Sequence, residues 1–301
     1  MSTTSPPQMP FGALLIEQVR SVGMSLRKEA ILLGLLLLAL SVVGLYEAWS
    51  HAAGLNGEPE LLLTTLPVAF IFPFAVWKGE KIFDDAFLWT FPVSRHRIAL
   101  AKVAAGAVWC LAGILAVLLW ILLITLVTGG TFGISETRLI GHGNQDLPEF
   151  AQVAWQTPLW MWLVPFASGL ILYLLGSAAV LGLRHPVRLF AGAAFGWAML
   201  AGLLSAAPSG VLKDGLSAAQ NALLYGPFGL DPALTAGAFG LSAQIISPTG
   251  QPIAIWRDLP SVEQWGAAML LWMTLTAVAL SLGLWRHWEP RFRWSQQASA
   301  S

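Results

Sequence analysis

The residues able to do chemistry are few and scattered. Among 301 residues there are five histidines and one cysteine. His51, His96, His142, His185 and His287 fall in separate segments, with no HExxH and no paired spacing of the kind a metal site needs. Gly-x-Ser-x-Gly does not occur, so the nucleophile elbow of a serine hydrolase has no support. The dipeptide Gly-Lys is missing, so no GxxxxGK[ST] loop can cradle the phosphates of ATP. Cys110 stands alone, which excludes an internal disulfide or a cysteine metal cluster and reads as packing. His142, Asn144 and Asp146 are the only candidates for an enzyme site acting on lipids or quinones, and their glycine-rich setting reads more simply as a turn. Glu47 reads as an interfacial carboxylate, with a proton-relay role as the alternative.

One stretch is denser. KGEKIFDDAFLWTFPVSRHRIALAK, Lys78 to Lys102, divides at Pro92 into two helical pieces. In the first, Glu80, Asp84 and Asp85 are acidic at the beginning, where a helix dipole favours them, and Phe83, Phe87, Leu88 and Phe91 form an apolar stripe. Ser94 can cap the second piece, which carries Arg95, His96, Arg97 and Lys102 toward the next apolar run. The basic residues suit lipid headgroups. The stripe must bury itself against lipid or a partner protein.

The elements that position this stretch follow from composition. The chain is 56% hydrophobic and 11% charged, with a mean hydropathy of +0.68. Soluble domains carry about a quarter charged residues. Six windows are long enough to cross a hydrocarbon core of about 30 Å as helices, at approximately 30–49, 61–77, 103–128, 159–183, 188–206 and 265–285. All are helix-length rather than the alternating segments of about ten residues that build a barrel.

Placing both termini in the cytoplasm leaves Arg138, Lys213 and Arg257 outside and the other thirteen of sixteen basic residues inside, as the positive-inside rule requires. A cleaved signal peptide is the rival reading of the first span, because Arg27 and Lys28 precede it and Ser50-His51-Ala52 resembles a cleavage site. Against it, the apolar region is longer than a typical h-region and begins about thirty residues in. Net charge is zero and points to no nucleic-acid partner.

Residues 1–9 read as disordered. Phe11, Leu14, Leu15, Val19, Val22 and Leu26 then recur at helical spacing opposite Glu17, Arg20, Arg27 and Lys28, which predicts an amphipathic helix in the cytoplasmic interface or docked on a partner. The chain divides into this N-terminal part, 1–29, a membrane region, 30–285, and a cytoplasmic tail, 286–301. Outer loops fall at 50–60, 129–158 and 207–264. In the long one, Leu212, Leu216, Ala219 and Leu223 follow helical spacing, Asp231-Pro232 resembles a helix start, and 233–246 reads as a surface or re-entrant helix. Trp49, Trp77, Trp160, Trp265 and Trp285 fall at span ends, as an aromatic belt requires. Gly192 and Gly196 form a GxxxG, and Ala178 with Gly182 a looser small-xxx-small pair, both permitting close helix approach. The fold class expected is all-α and polytopic, with six transmembrane helices and a partly helical loop between spans five and six.

The Lys78–Lys102 loop resembles that of the ABC-2 type permeases, membrane subunits of bacterial ATP-driven exporters. Members commonly carry, between spans two and three, an acidic residue, a leucine-rich stretch, Pro-[VI]-Ser-Arg and a lysine ten residues after the proline. Here these are Glu80, Phe87-Leu88, Pro92-Val93-Ser94-Arg95 and Lys102. Many relatives have Gly-Thr where this chain has Phe83-Asp84, so the beginning of the element differs in shape. The plan also matches: interfacial helix, six spans, both ends inside, and a partly helical loop before the last span.

The resemblance implies that the loop is a cytoplasmic coupling helix seated on a separate ATP-binding subunit. That subunit would hold the ATP and magnesium, with no cofactor on this chain, and Phe87, Leu88 and Phe91 would engage it. It further implies a second permease, a copy or a sister, and residence in the bacterial inner membrane. The near absence of charge in the spans suits an amphipathic or hydrophobic cargo. A non-transporting structural or sensory subunit that binds partners through its outer loop is the alternative.

Overall fold

A computed structural model describes residues 10–51, 54–78, 95–142, 149–206, 210–238, 241–246, 252–256 and 259–285. The chain is mostly helical. Helix α1 (Phe11–Ser25) is followed by α2 (Arg27–His51), the pair α3 (Pro59–Leu63) and α4 (Leu66–Val76), and α5 (Arg95–Thr128). Then come strands β1 (Ser135–His142) and β2 (Glu149–Gln156), a short 3-10 turn, α6 (Val164–Gly182) and α7 (Pro186–Ala206). Helices α8 (Val211–Tyr225) and α9 (Leu230–Thr235), strands β3 (Leu241–Ile246) and β4 (Pro252–Trp256), and α10 (Val262–Trp285) complete the order.

Among the described residues five helical segments are long and apolar enough to cross a membrane: Arg27–His51, Pro59–Val76, His96–Thr128, Leu159–Gly182 and Val262–Trp285. Helix α7 covers the expected fifth span, and its 21 residues rise about 30 Å. The second segment is broken between α3 and α4. Pro67 has no N–H to offer Leu63 and its ring crowds that carbonyl. Thr64 and Thr65 turn their hydroxyls onto the carbonyls of Leu61 and Leu62, both at 2.6 Å, beside their own N–H groups, which bond the same carbonyls and tighten the last turn.

Helix α6 is the hub. It packs along α4, α5 and α10 and touches α9. Its small residues make this possible: a Cβ on Gly176 would overlap the Phe70 carbonyl oxygen, and one on Gly283 of α10 would lie 3.2 Å from the Ala178 carbonyl, beside Gly182. The small pair Ala178/Gly182 is therefore in use against Gly283. Gly192 and Gly196 are not, since nothing lies within 4 Å of a Cβ at either. Helix α7 instead meets the bundle at its start, where Phe190 stands edge-on to Phe70 at 5.1 Å.

A core of Val22, Leu26, Val76, Trp77, Ala99, Val103, Tyr173 and Leu181 joins α1, α4, α5 and α6. Tyr173 is fully buried and donates its hydroxyl hydrogen to the Val103 carbonyl at 2.9 Å. Leu14, Val22 and Leu26 are the buried residues of the N-terminal stripe. They pack α1 on α5, where Trp109 Nε1 donates to the Val19 carbonyl at 2.9 Å. Helix α2 buries no residue. It is tied to α5 by Trp120 Nε1, which donates to Ser41 Oγ at 2.7 Å.

The expectation of an all-α fold is corrected by a four-stranded sheet in the order β2-β1-β4-β3, at the bundle end where α5 stops and α6 and α10 begin. Strands β1 and β2 form one antiparallel hairpin, β3 and β4 another, and β1 runs parallel to β4 through Leu139↔Ile255 and Ile140↔Trp256. The reason lies in pairing: neither loop alternates cleanly enough to declare strands, and the partners are over a hundred residues apart. Two further details of the long loop differ. Helix α9 begins at Leu230 with Gly229 as its cap residue, so Asp231 sits in the first turn and accepts a hydrogen bond from Thr235 at 2.9 Å. The stretch 233–246 is not one helix, because Ala236 and Gly237 turn left-handed, φ 55° and 75°, and β3 follows.

Replacing Gly176 by alanine sets a methyl against backbone that cannot step aside, so G176A should cost about 1–3 kcal/mol and lower the thermal midpoint of the purified protein in detergent. G196A meets open space and should leave that midpoint unchanged.

Candidate functional site

Two places concentrate polar groups, one at each end of the bundle. The first flanks the loop that carries the sequence motif. Glu80, Asp84, Asp85, Phe87, Leu88, Phe91, Pro92 and Ser94 lie outside the described residues, whereas both ends of the loop are in place. Trp77 closes α4, and Lys102, one turn into the buried part of α5, is 7% exposed with Nζ 4.8 Å from the Trp77 ring. A cation over an indole face in a dry site is worth about 2 kcal/mol. This contact joins residues 25 positions apart, so the loop leaves and re-enters the bundle at one point.

That point is shared with the N-terminal elbow. Val22 and Leu26 belong to the same core cluster as Val76, Trp77 and Val103, and Glu29 Oε1 at the start of α2 lies 3.9 Å from Lys78 Nζ. Arg95, His96 and Arg97 open α5, with no acidic residue in its first turn. Positive charge at a helix N-terminus opposes the dipole by roughly 0.3–1 kcal/mol per residue.

The second place is the sheet end. Arg138 of β1 is 3% exposed. Its Nε donates to Glu136 Oε1 at 2.7 Å. Its guanidinium carbon lies 3.8 Å from the centre of the Trp256 ring, on β4, and 5.0 Å from that of Trp155, on β2. Nη1 is buried and has no hydrogen-bond partner among the described residues. Glu58 and Glu60, at the start of α3, lie within electrostatic reach of both Arg138 and Glu136. The connection that carries them is strapped to the turn after α5: Gly57 N donates to the Thr131 carbonyl at 2.9 Å and Gly133 N to the Gly57 carbonyl at 2.7 Å. Beneath, Trp160 and Trp265 stack at 5.6 Å over a cluster of Leu63, Leu66, Met161, Val164, Ala236 and Ala238. The crease between Pro59, Glu60, Met161 and Thr235 has no internal room for a water molecule.

Of the residues singled out from sequence, the structure brings Lys102 to Trp77. It sets Glu47 on an exposed surface, 3.4 Å from His51. His142 ends β1, while Asn144 and Asp146 lie outside the described residues. No group of three His, Cys, Asp or Glu side chains suited to a metal ion occurs among the described residues. The Arg138 cluster escaped the sequence reading, which counted Arg138 as one of three outer charges. The signal was Glu136 and Arg138 two residues apart, on one face if the segment is a strand, meaningful only once Trp155 and Trp256 are known to flank the arginine.

Comparison with protein-family models, with curated proteins and with solved structures finds no match.

Burial pushes the Glu58 carboxyl above the ordinary carboxylate range; Glu136 adds to the rise, and Arg138 opposes it. The folded state thus favours the protonated acid. Its contribution to stability is full below the unfolded value and is lost as pH rises through the elevated folded one. Glu58 precedes α3 without a side-chain capping bond, so glutamine removes a charge and no cap. E58Q should raise the thermal midpoint at about pH 8, and the gain should vanish toward about pH 4, read by tryptophan fluorescence across a pH series.

Proposed function

We propose that this chain is the permease subunit of an ATP-driven exporter of the ABC-2 type, forming half of the path for an amphipathic or hydrophobic compound. The observation that carries the reading is the segment between α4 and α5, where an acidic start, an apolar stripe at Phe87, Leu88 and Phe91, Pro92-Val93-Ser94-Arg95 and Lys102 stand in series. The chain has no phosphate-binding loop of its own, so ATP and its magnesium belong to a partner ATPase on which this segment rests.

In this reading α7 is the fifth of six spans and α10 the sixth, both termini and the Lys78–Lys102 loop face the cytoplasm of a bacterial inner membrane, and the sheet faces out. The convergence of Trp77, Lys102, Leu26 and Glu29 supports a mechanical role. A push on the loop reaches α1, α4 and α5 through one packed point. Arg95 and Arg97 hold the start of α5 to the anionic membrane surface, each contact contributing about 1 kcal/mol. The second half of the path comes from another copy or a sister permease.

The decisive experiment is mild detergent purification of the chain expressed with its chromosomal neighbours, followed by mass spectrometry. A stoichiometric soluble protein with a phosphate-binding loop is expected, and elution of the chain alone with ATP-independent transport would overturn the reading. With the complex in hand, F87E/L88E should leave membrane insertion intact and abolish coupling of ATP hydrolysis to transport. R95A/R97A should reduce coupling more mildly.

A further inference from the structure

We infer that the sheet opens along the seam between β1 and β4, as two hairpins, with Arg138 as the clasp that holds it shut. The pairing is uneven. Strands β1 and β2 share eight residue pairs in register and β3 with β4 five, whereas β1 and β4 meet through two, Leu139↔Ile255 and Ile140↔Trp256. Each hairpin closes on itself through local chain, while the seam joins segments over a hundred residues apart. It is the weakest line in the sheet.

Arg138 crosses that line. Glu136, Arg138 and Ile140 share one face of β1, and Trp155 on β2 and Trp256 on β4 flank the guanidinium from opposite hairpins. The clasp is incomplete. A buried Nη1 without an acceptor raises the free energy of the closed sheet, and water or a second carboxylate would relieve it once the seam parts. Glu58 and Glu60 stand within electrostatic reach, on a different connection from Glu136. One guanidinium with a satisfied Nε, an orphan Nη1 and alternative carboxylates nearby can exchange partners as the seam parts, which supplies the second arrangement a gate requires. That the opening passes cargo rests on the permease reading; the opening itself does not.

Hydrogen–deuterium exchange on the full chain in lipid nanodiscs tests it. A lost cation–aromatic stack corresponds to about a tenfold shift in an opening equilibrium. In R138A, and in W256A as a second variant, exchange should rise about tenfold at the amides around Leu139–Ile140 and Ile255–Trp256. The amides of β2 and β3, bonded within their own hairpins, should stay within about twofold of wild type. An equal rise in all four strands, or none, overturns the clasp. Should both variants fail to fold, L139C/I255C serves alone, since paired positions on adjacent strands lie in disulfide range. Oxidation should slow seam exchange relative to the reduced form, and equal rates would overturn the opening. Transport by the complex carrying L139C/I255C separates the two ideas: loss on oxidation and recovery on reduction ties the seam to cargo, whereas unchanged transport removes that role and leaves the permease reading standing.

Discussion

A backbone amide inside hydrocarbon must find its acceptor within the protein, and a helix is the segment that satisfies all of them locally. That constraint sets the long elements of this chain. Where it is broken, between α3 and α4, the hydroxyls of Thr64 and Thr65 turn back onto the carbonyls of Leu61 and Leu62, in the turn before Pro67. Irregular backbone is otherwise gathered at the bundle ends, where strands can pair or water can solvate it.

Within the bundle there is no hydrophobic drive to bring helices together, since lipid is as apolar as leucine. Close fit replaces it. Helix α6 acts as the hub because Gly176, Ala178 and Gly182 let α4 and α10 approach its backbone. The exposed middle of α2, from Ile31 to Val43, is apolar but for Ser41, which lipid tolerates. Three polar side chains make single anchoring bonds, Tyr173 to the Val103 carbonyl, Ser168 to the Ala233 carbonyl and Trp120 to Ser41.

The two ends are built on different principles. At the loop end, one packed junction of Leu26, Trp77, Val103 and Lys102 gathers the N-terminal helix and both flanks of the motif-bearing segment. Rigid packing of this kind transmits displacement. At the sheet end, three connections meet through a short seam and one arginine between two indoles, an arrangement that can part without unfolding the hairpins.

Hydropathy alone determined the helices, because a run of twenty apolar residues has few other ways to hide from water and because helical spacing repeats within any short window. The stripe of α1 and the helix α8 were legible for the same reason. The flanks of the Lys78–Lys102 segment were legible as chemistry, in residue types, and the structure added that Lys102 folds back over Trp77. Tertiary structure alone decided which small residues pack: Gly192-xxx-Gly196 has the stronger pattern and stands open, while Ala178 and Gly182 are used, since spacing says a close approach is possible and only a facing helix makes it. The sheet and the Arg138 site were decided there too. Short strands with weak alternation carry almost no local signal, and their stability comes from partners such as Leu139 and Ile255, which stand over a hundred residues apart in the chain and pair only in the folded protein.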